Sequence, residues 1–357
     1  LGLISGEDTE KIIRDADYDI VTIKEREKVT RHDVMAFVQV VCESLGDLSR
    51  YFHAGITSSD ITDTALAMTL VKSCGMISSG MTRLRHKMMD KAKTFKYIPC
   101  MGRNHGMHAE VTSFGLKFAL WAYDITRAIS MLDGAKRWVS FGKVSGAVGN
   151  YAHIEPCIES MVCRDLGLTP SPISTQVLQR DRHALLVSTI AVIGGTLEKI
   201  ATEIRHLQRT EVGEVEEPFH EGQTGSSAMP HKHNPIRCEQ ICGMARMLRG
   251  YVTPALEDIA LWHERDISHS SVERIALVDS ITLLDYMVQS MTNIIEGLQV
   301  NANKMHRNTM IGIPVTQSQN YMLQLMENGV DRNTAYVRAQ GFANNLRDVE
   351  LSPTQLE

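Results

Sequence analysis

Long proline-free stretches in which apolar residues recur every three or four positions leave this chain few folds to choose from. From Ile190 the residues Ile193, Leu197, Ile200, Ile204 and Leu207 step in this way, and from Leu277 so do Ile281, Leu284, Val288, Met291, Ile295 and Leu298. At 3.6 residues per turn each series forms one apolar stripe, which must be buried against other stripes. The segment from Asp60 to about Ala92 also lacks proline, with "DIT" at its start offering N-cap candidates, and a further long helix is expected from about Ala109 to Val139. Period-two apolar runs bounded by turn residues are scarce. The best lies near "DIVTIKE", so an extensive sheet is not expected. The fold class that follows is all-α, a bundle of long helices.

A chain of 357 residues has room for one large helical domain or two to three smaller ones. The 19 methionines fit the packing of a long-helix core. With 37 basic and 42 acidic residues there is no global field for nucleic acid or an anionic membrane, so any anionic ligand must be met by a local cluster. Neither a nucleic acid nor a membrane is expected as partner. Cysteines at 42, 74, 100, 157, 163, 238 and 242 form no disulfide framework and suit a reducing compartment. Cys238 and Cys242, one helical turn apart, read as buried thiols. No run of ~18 apolar residues and no leader-like N-terminus is seen, which points to a soluble cytoplasmic protein. The first residue is Leu and not Met, so a preceding segment is expected.

Polar chemistry is concentrated in islands. "RHDV" covers 31–34. "RYFHAGITSSDITDTA", 50–65, sets His53 beside Thr57, Ser58 and Ser59 at a helix start, where free N–H groups and hydroxyls can receive a carboxylate or phosphate; the same cluster also reads as a capping box. "GRNHGMHAE", 102–110, spaces His105 and His108 by three, but no third ligand completes a zinc site, and no metal is expected. "TGSSAMPHKHNPIRCE", 224–239, carries hydroxyls, a cation and a carboxylate between two helical segments. "WHERDISHSSVER", 262–274, supplies Arg265, Ser270 and Arg274, either an anion-binding set or a solvated charged face.

Together the islands resemble the fumarase and aspartase superfamily, over nearly the whole span from "RHDV" to "SSVER", with "GSSAMPHKHNP" the most specific part. Within it, "MPHK", "TSSDITDTA", "GRNHGMHAE" and "TQVLQRD" (175–181) are similar to the adenylosuccinate lyase family. The resemblance implies a fumarase/aspartase-type bundle at 57–300 between smaller helical domains at 1–56 and 301–357, both apparently truncated. It also implies a homotetramer whose active sites are shared between subunits, a small-molecule nucleotide substrate, and fumarate elimination without a cofactor. Fumarate elimination removes a proton next to a carboxylate while the leaving nitrogen is protonated, which calls for a base, an acid and an oxyanion stabiliser.

By the resemblance Ser226 is the base and Ser227 its neighbour. Lys232 lowers the serine's pKa and stabilises the carbanion's carboxylate, His105 is the acid, and Glu239 is the carboxylate that orients it. Arg31, His32 and Asp33 match a nucleotide-contacting segment. His53, Thr57 and Ser58 match residues around the phosphate or the succinyl carboxylates, Gln176 an amide contact and Asn234 a carboxylate contact. Arg265, Ser270 and Arg274 match the phosphate and ribose end. Asn104 stands where the family usually has threonine, and the family's early Arg-Tyr pair and longer C-terminal domain are not visible. A carboxymuconate cycloisomerase-like or other fumarase/aspartase superfamily activity and a non-catalytic structural homologue are the alternatives.

Overall fold

The apolar stripes fold as helices. The computed structural model describes residues 4–219, 222, 225 and 228–347. In chain order the helices are α1 (Gly6–Asp15), α2 (Ile20–Thr30), α3 (Asp33–Leu45), α4 (Ser58–Thr94), α5 (Phe114–Val139), α6 (Pro156–Asp165), α7 (Asp181–Gln208), α8 (Ile236–Gly250), α9 (Val252–Glu257), α10 (Ser268–Gly297), α11 (Ala302–Thr316), α12 (Ser318–Glu327) and α13 (Arg332–Arg347). The strands are short: β1 (Pro99–Asn104) pairs antiparallel with β2 (Met107–Ser113), β3 (Phe141–Gly142) parallel with β4 (Thr169–Pro170), and β5 (Val215–Glu216) antiparallel with β6 (Gln299–Val300). The fold class is therefore all-α with small strand pairs, as the periodicity requires.

The chain divides into two compact units. One comprises Leu1–Lys72, Lys136–Arg182 and Glu257–Ser271, the other Ser73–Ala135, His183–Leu256 and Val272–Glu357. The second unit holds the larger core. Ile193, Leu197, Ile200, Ile204 and Leu207 of α7 are buried in it, as are Leu284, Val288, Met291 and Ile295 of α10, and each such side chain contributes about 1.5–3 kcal/mol of transfer free energy. Phe95, Phe114, Phe118 and Trp121 stack in an edge-to-face and offset series beside them. α7 is long and apolar enough to cross a membrane, yet 56% of its most apolar window is buried inside the protein, which marks it as a core helix. In the first unit Ala67, Cys163 and Leu168 form a small core against which Val71 packs.

Two local expectations are corrected. "DIVTIKE" is the start of α2, not a strand: Asp19 caps it, with Oδ2 accepting from Thr22 N and Oγ1 at 2.7 Å each. That cap outweighs the strand preference of the β-branched run. The helix expected from Ala109 begins only at Phe114, because Met107–Ser113 is committed to a hairpin with Pro99–Asn104. The turn residues His105 (φ 55°) and Gly106 (φ 78°) are both left-handed, the requirement of a two-residue type I′ turn, and Gly106 meets it at no steric cost.

Candidate active site

In the first unit the site grows from the N-terminus of α4. Thr57 precedes the helix, and its N–H donates to Asp60 Oδ2 at 2.8 Å, so Asp60 reaches back from the third helical position and supplies one half of a capping box. The same buried carboxylate accepts from Ser145 N (3.1 Å) and Gly146 N (3.2 Å) and forms an ion pair with Lys143, itself fully buried. Ser145 Oγ lies 2.8 Å from Ser174 Oγ, and Gln176 Nε2 donates to Thr57 Oγ1 at 3.3 Å. Segments 57–60 and 143–146 thus meet at one aspartate, and 174–176 bonds to both of them through Thr57 and Ser145. This brings together Thr57, Ser58 and Gln176 of the predicted site. His53, at φ 59°, presents a buried Nε2 with no hydrogen-bond partner among the described residues, and the same holds for the buried Ser59 hydroxyl. Such atoms are costly unless something bonds to them.

One turn further along α4, Asp63 takes a fork of bonds from Arg180 (2.7 and 3.0 Å), and Arg180 Nη2 lies 3.2 Å from Nδ1 of His269. Arg265 Nε lies 3.3 Å from Nε2 of that imidazole, so the two arginines flank His269, whose single acceptor nitrogen takes a bond from one of them at a time. Ser270 sits half-buried in the first turn of α10, and Arg274 lies on the same helix within the second unit. Asp266 accepts from Trp262 N, Ser268 N and the Ser268 hydroxyl, which together hold its carboxyl down to about 2. A folded pKa below the free value of about 3.9 adds stability that is present above that value and is lost as pH falls through the folded one. The melting-temperature difference between wild type and Asp266→Asn is therefore expected to be largest above pH 5 and to shrink steadily below pH 4. A difference independent of pH would exclude this carboxylate as the cause.

The "RHDV" island serves chain geometry as well. Arg31 (φ 53°) closes α2, its N–H donating to Glu27 O at 2.8 Å, and His32 caps α3, its Nδ1 accepting from Met35 N at 3.2 Å. Arg31, His32 and Asp33 are all exposed.

In the second unit, Lys232, Asn234 and Glu239 line one cavity of 1260 Å³, together with Arg205, Arg209 and Asn301. The side chain of Glu217 caps α8, which carries Glu239, accepting from Cys238 N (2.7 Å) and Arg237 N (3.2 Å), where the N-cap Pro235 makes no side-chain bond. Gln208 bridges Glu217 N to His233 O, and the His233 ring stacks on Phe219 at 4.0 Å while pairing with Glu216. Asn234 Nδ2 donates to Gly225 O at 3.0 Å, and a β-carbon on Gly225 would stand 2.3 Å from Lys232 O, so Gly225 lies tightly against the 232–234 segment. Ser226 and Ser227 lie outside the described residues. Cys238 and Cys242 are buried thiols, as read from the sequence, with burial pushing Cys238 well above its ordinary value. Among the described residues no three His, Cys, Asp or Glu side chains group to hold a metal.

His105 occupies the exposed tip of the β1–β2 turn and is not among the cavity's lining residues; within one chain no hydrogen bond joins it to Glu239 among the described residues. Beneath it, burial and the neighbouring Arg103 charge hold His108 below the usual imidazole value. The sequence reading missed Asp60, Asp63 and Arg180 as organisers, the buried Lys143 and Glu217. The glycine-bearing "SGAVG" at 145–149 was the available signal for the 143–146 loop; a lone buried Lys or Glu gives none.

The profile of a family described as "Lyase" matches residues 7–250. Adenylosuccinate lyase from Thermotoga maritima is 48% identical over 336 residues, covering 94% of this chain and 78% of that protein. Adenylosuccinate lyase from Bacillus subtilis is 48% identical over 340 residues, covering 95% and 79%. Among solved structures, a fumarate lyase from Mesorhizobium sp. BNC1 superposes with a TM-score of 0.87 at 24% identity, covering 97% of this chain and 80% of that one. A 3-carboxy-cis,cis-muconate lactonizing enzyme from Pseudomonas putida gives 0.86 at 24% identity, covering 96% and 79%. At that identity the two structures speak for the fold alone.

Proposed function

Since the chain belongs to the adenylosuccinate lyase family of the fumarase and aspartase superfamily, we propose that it eliminates fumarate from adenylosuccinate, giving AMP, and from the succinylaminoimidazole carboxamide ribotide of purine biosynthesis. The observation that carries this reading at the site is the convergence of Lys232, Asn234 and Glu239 on one cationic cavity large enough for a nucleotide joined to a four-carbon diacid. Ser226, activated by Lys232, takes the proton next to the carboxylate. Lys232 stabilises the charge that develops on that carboxylate, and His105, oriented by Glu239, protonates the leaving nitrogen.

Thr57, Ser58 and His53 receive phosphate or carboxylate oxygens, and Gln176 and Asn234 add amide contacts. Arg265, Ser270 and Arg274 hold the phosphate and ribose end, and Arg31, His32 and Asp33 contact the nucleotide. The His53 Nε2 and Ser59 hydroxyl, buried and without a hydrogen-bond partner among the described residues, favour a ligand near the head of α4. That His105 is not among the residues lining the cavity that Glu239 lines favours a homotetramer with shared sites, in which the 57–300 bundle lies between smaller domains at 1–56 and 301–357. A cytoplasmic enzyme fits the free cysteines.

An ultraviolet assay with adenylosuccinate, argininosuccinate and carboxymuconolactone side by side tests the reading. Turnover is expected with adenylosuccinate alone. Turnover confined to either of the other two would reassign the substrate, and none with any of the three would leave a structural homologue.

A further inference from the structure

A two-stranded ribbon is marginal in water by itself, yet the β1–β2 hairpin presents His105 at an exposed tip. What holds it is a buried carboxylate bonded close to the turn. Arg103, two residues before His105, donates from Nη2 to Glu214 Oε1 at 2.6 Å and from Nη1 to Glu214 Oε2 at 3.2 Å. The Glu214 side chain is 0% exposed, and its Oε1 also accepts from Asn308 Nδ2 of α11 at 2.7 Å. Its backbone is fixed on both sides, N–H to Leu207 O at 2.9 Å and C=O from Asn301 N at 3.0 Å, so the carboxylate has a set direction between the end of α7 and the start of α11. α11 meets the hairpin with no clearance: a β-carbon on Gly312 would stand 2.3 Å from Met101 Cε and 2.8 Å from His108 Nδ1.

A buried ion pair adds little net stability over an apolar pair of the same volume, so its use lies in geometry. The fork fixes both the distance and the plane of the guanidinium, and a single bond would leave that plane free to rotate. We propose that Glu214, acting through Arg103, is the positioning residue for His105, setting where the turn holds the imidazole; this rests on the acid role given to His105 above. Asn308 and the Gly312 contact complete the same seat.

The test uses the whole chain, with kcat and KM for adenylosuccinate and the melting temperature measured for Glu214→Gln, for Arg103→Lys, and for the paired Arg103→Met/Glu214→Leu variant, which leaves no charge buried alone. A misplacement of about 1 Å costs up to ~100-fold in rate. Accordingly Glu214→Gln and the paired variant are expected to lower kcat about 10- to 100-fold with KM within about threefold, and Arg103→Lys, which keeps one bond, to recover part of the loss. His105→Gln is run beside them. A paired variant that folds and turns over at the wild-type rate while His105→Gln is inactive overturns the positioning role alone. Wild-type turnover in His105→Gln overturns the acid assignment and the positioning role with it.

Discussion

Ser226→Ala is expected to lower kcat about 100- to 10,000-fold while KM for adenylosuccinate stays within a few-fold, because a group used only in the transition state contributes to rate and not to ground-state binding. A serine hydroxyl is a poor base at neutral pH and needs a cation close by. The loop carries one in Lys232, whose backbone lies close to Gly225, and Gly225 O in turn accepts from Asn234. Ser227→Ala, one position on, is the comparison and is expected to retain substantial turnover. Mixing Ser226→Ala chains with His105→Gln chains under subunit exchange is expected to restore part of the activity, since some sites in a shared-site oligomer would carry neither lesion. Near-normal turnover in Ser226→Ala removes this serine from the role. Exchange demonstrated by mass with activity still at zero removes the sharing.

The second large effect is on stability. Asp60→Ala is expected to cost about 3–5 kcal/mol, seen as a lower urea midpoint, because it strands the fully buried Lys143 ammonium and takes the acceptor from Thr57, Ser145 and Gly146 N–H groups at once. Adding Lys143→Met removes the stranded charge and is expected to restore part of the loss, leaving the cost of the three N–H groups. An unchanged midpoint in Asp60→Ala would show that the lysine finds another partner or water, and the hub would lose its energetic role.

Much of the fold was legible because helices announce themselves locally. The stripes of α7 and α10 are fixed by a backbone repeat that every residue within a few positions shares, and their buried faces follow from it. The same locality explains the errors. The β-branched run in "DIVTIKE" resembles a strand over four residues, and only the Asp19 cap decides for α2. The Ala109 segment looks helical until its neighbour across the His105–Gly106 turn claims it.

The sequence by itself determined which chemical groups the chain owns, and on what kind of element most of them ride: the hydroxyls at the head of α4, and the lysine and carboxylate of the "GSSAMPHKHNP" loop and the helix after it. Only the tertiary structure decided what holds them. Asp60 meets Lys143 across 83 positions and Arg103 meets Glu214 across 111, and neither pair leaves a periodic trace, since a single polar residue at a buried position reads the same as one on a surface. Its partner is chosen by how the stripes pack and which loops close, and that choice is made by the whole core, far beyond the few residues over which a helix is specified.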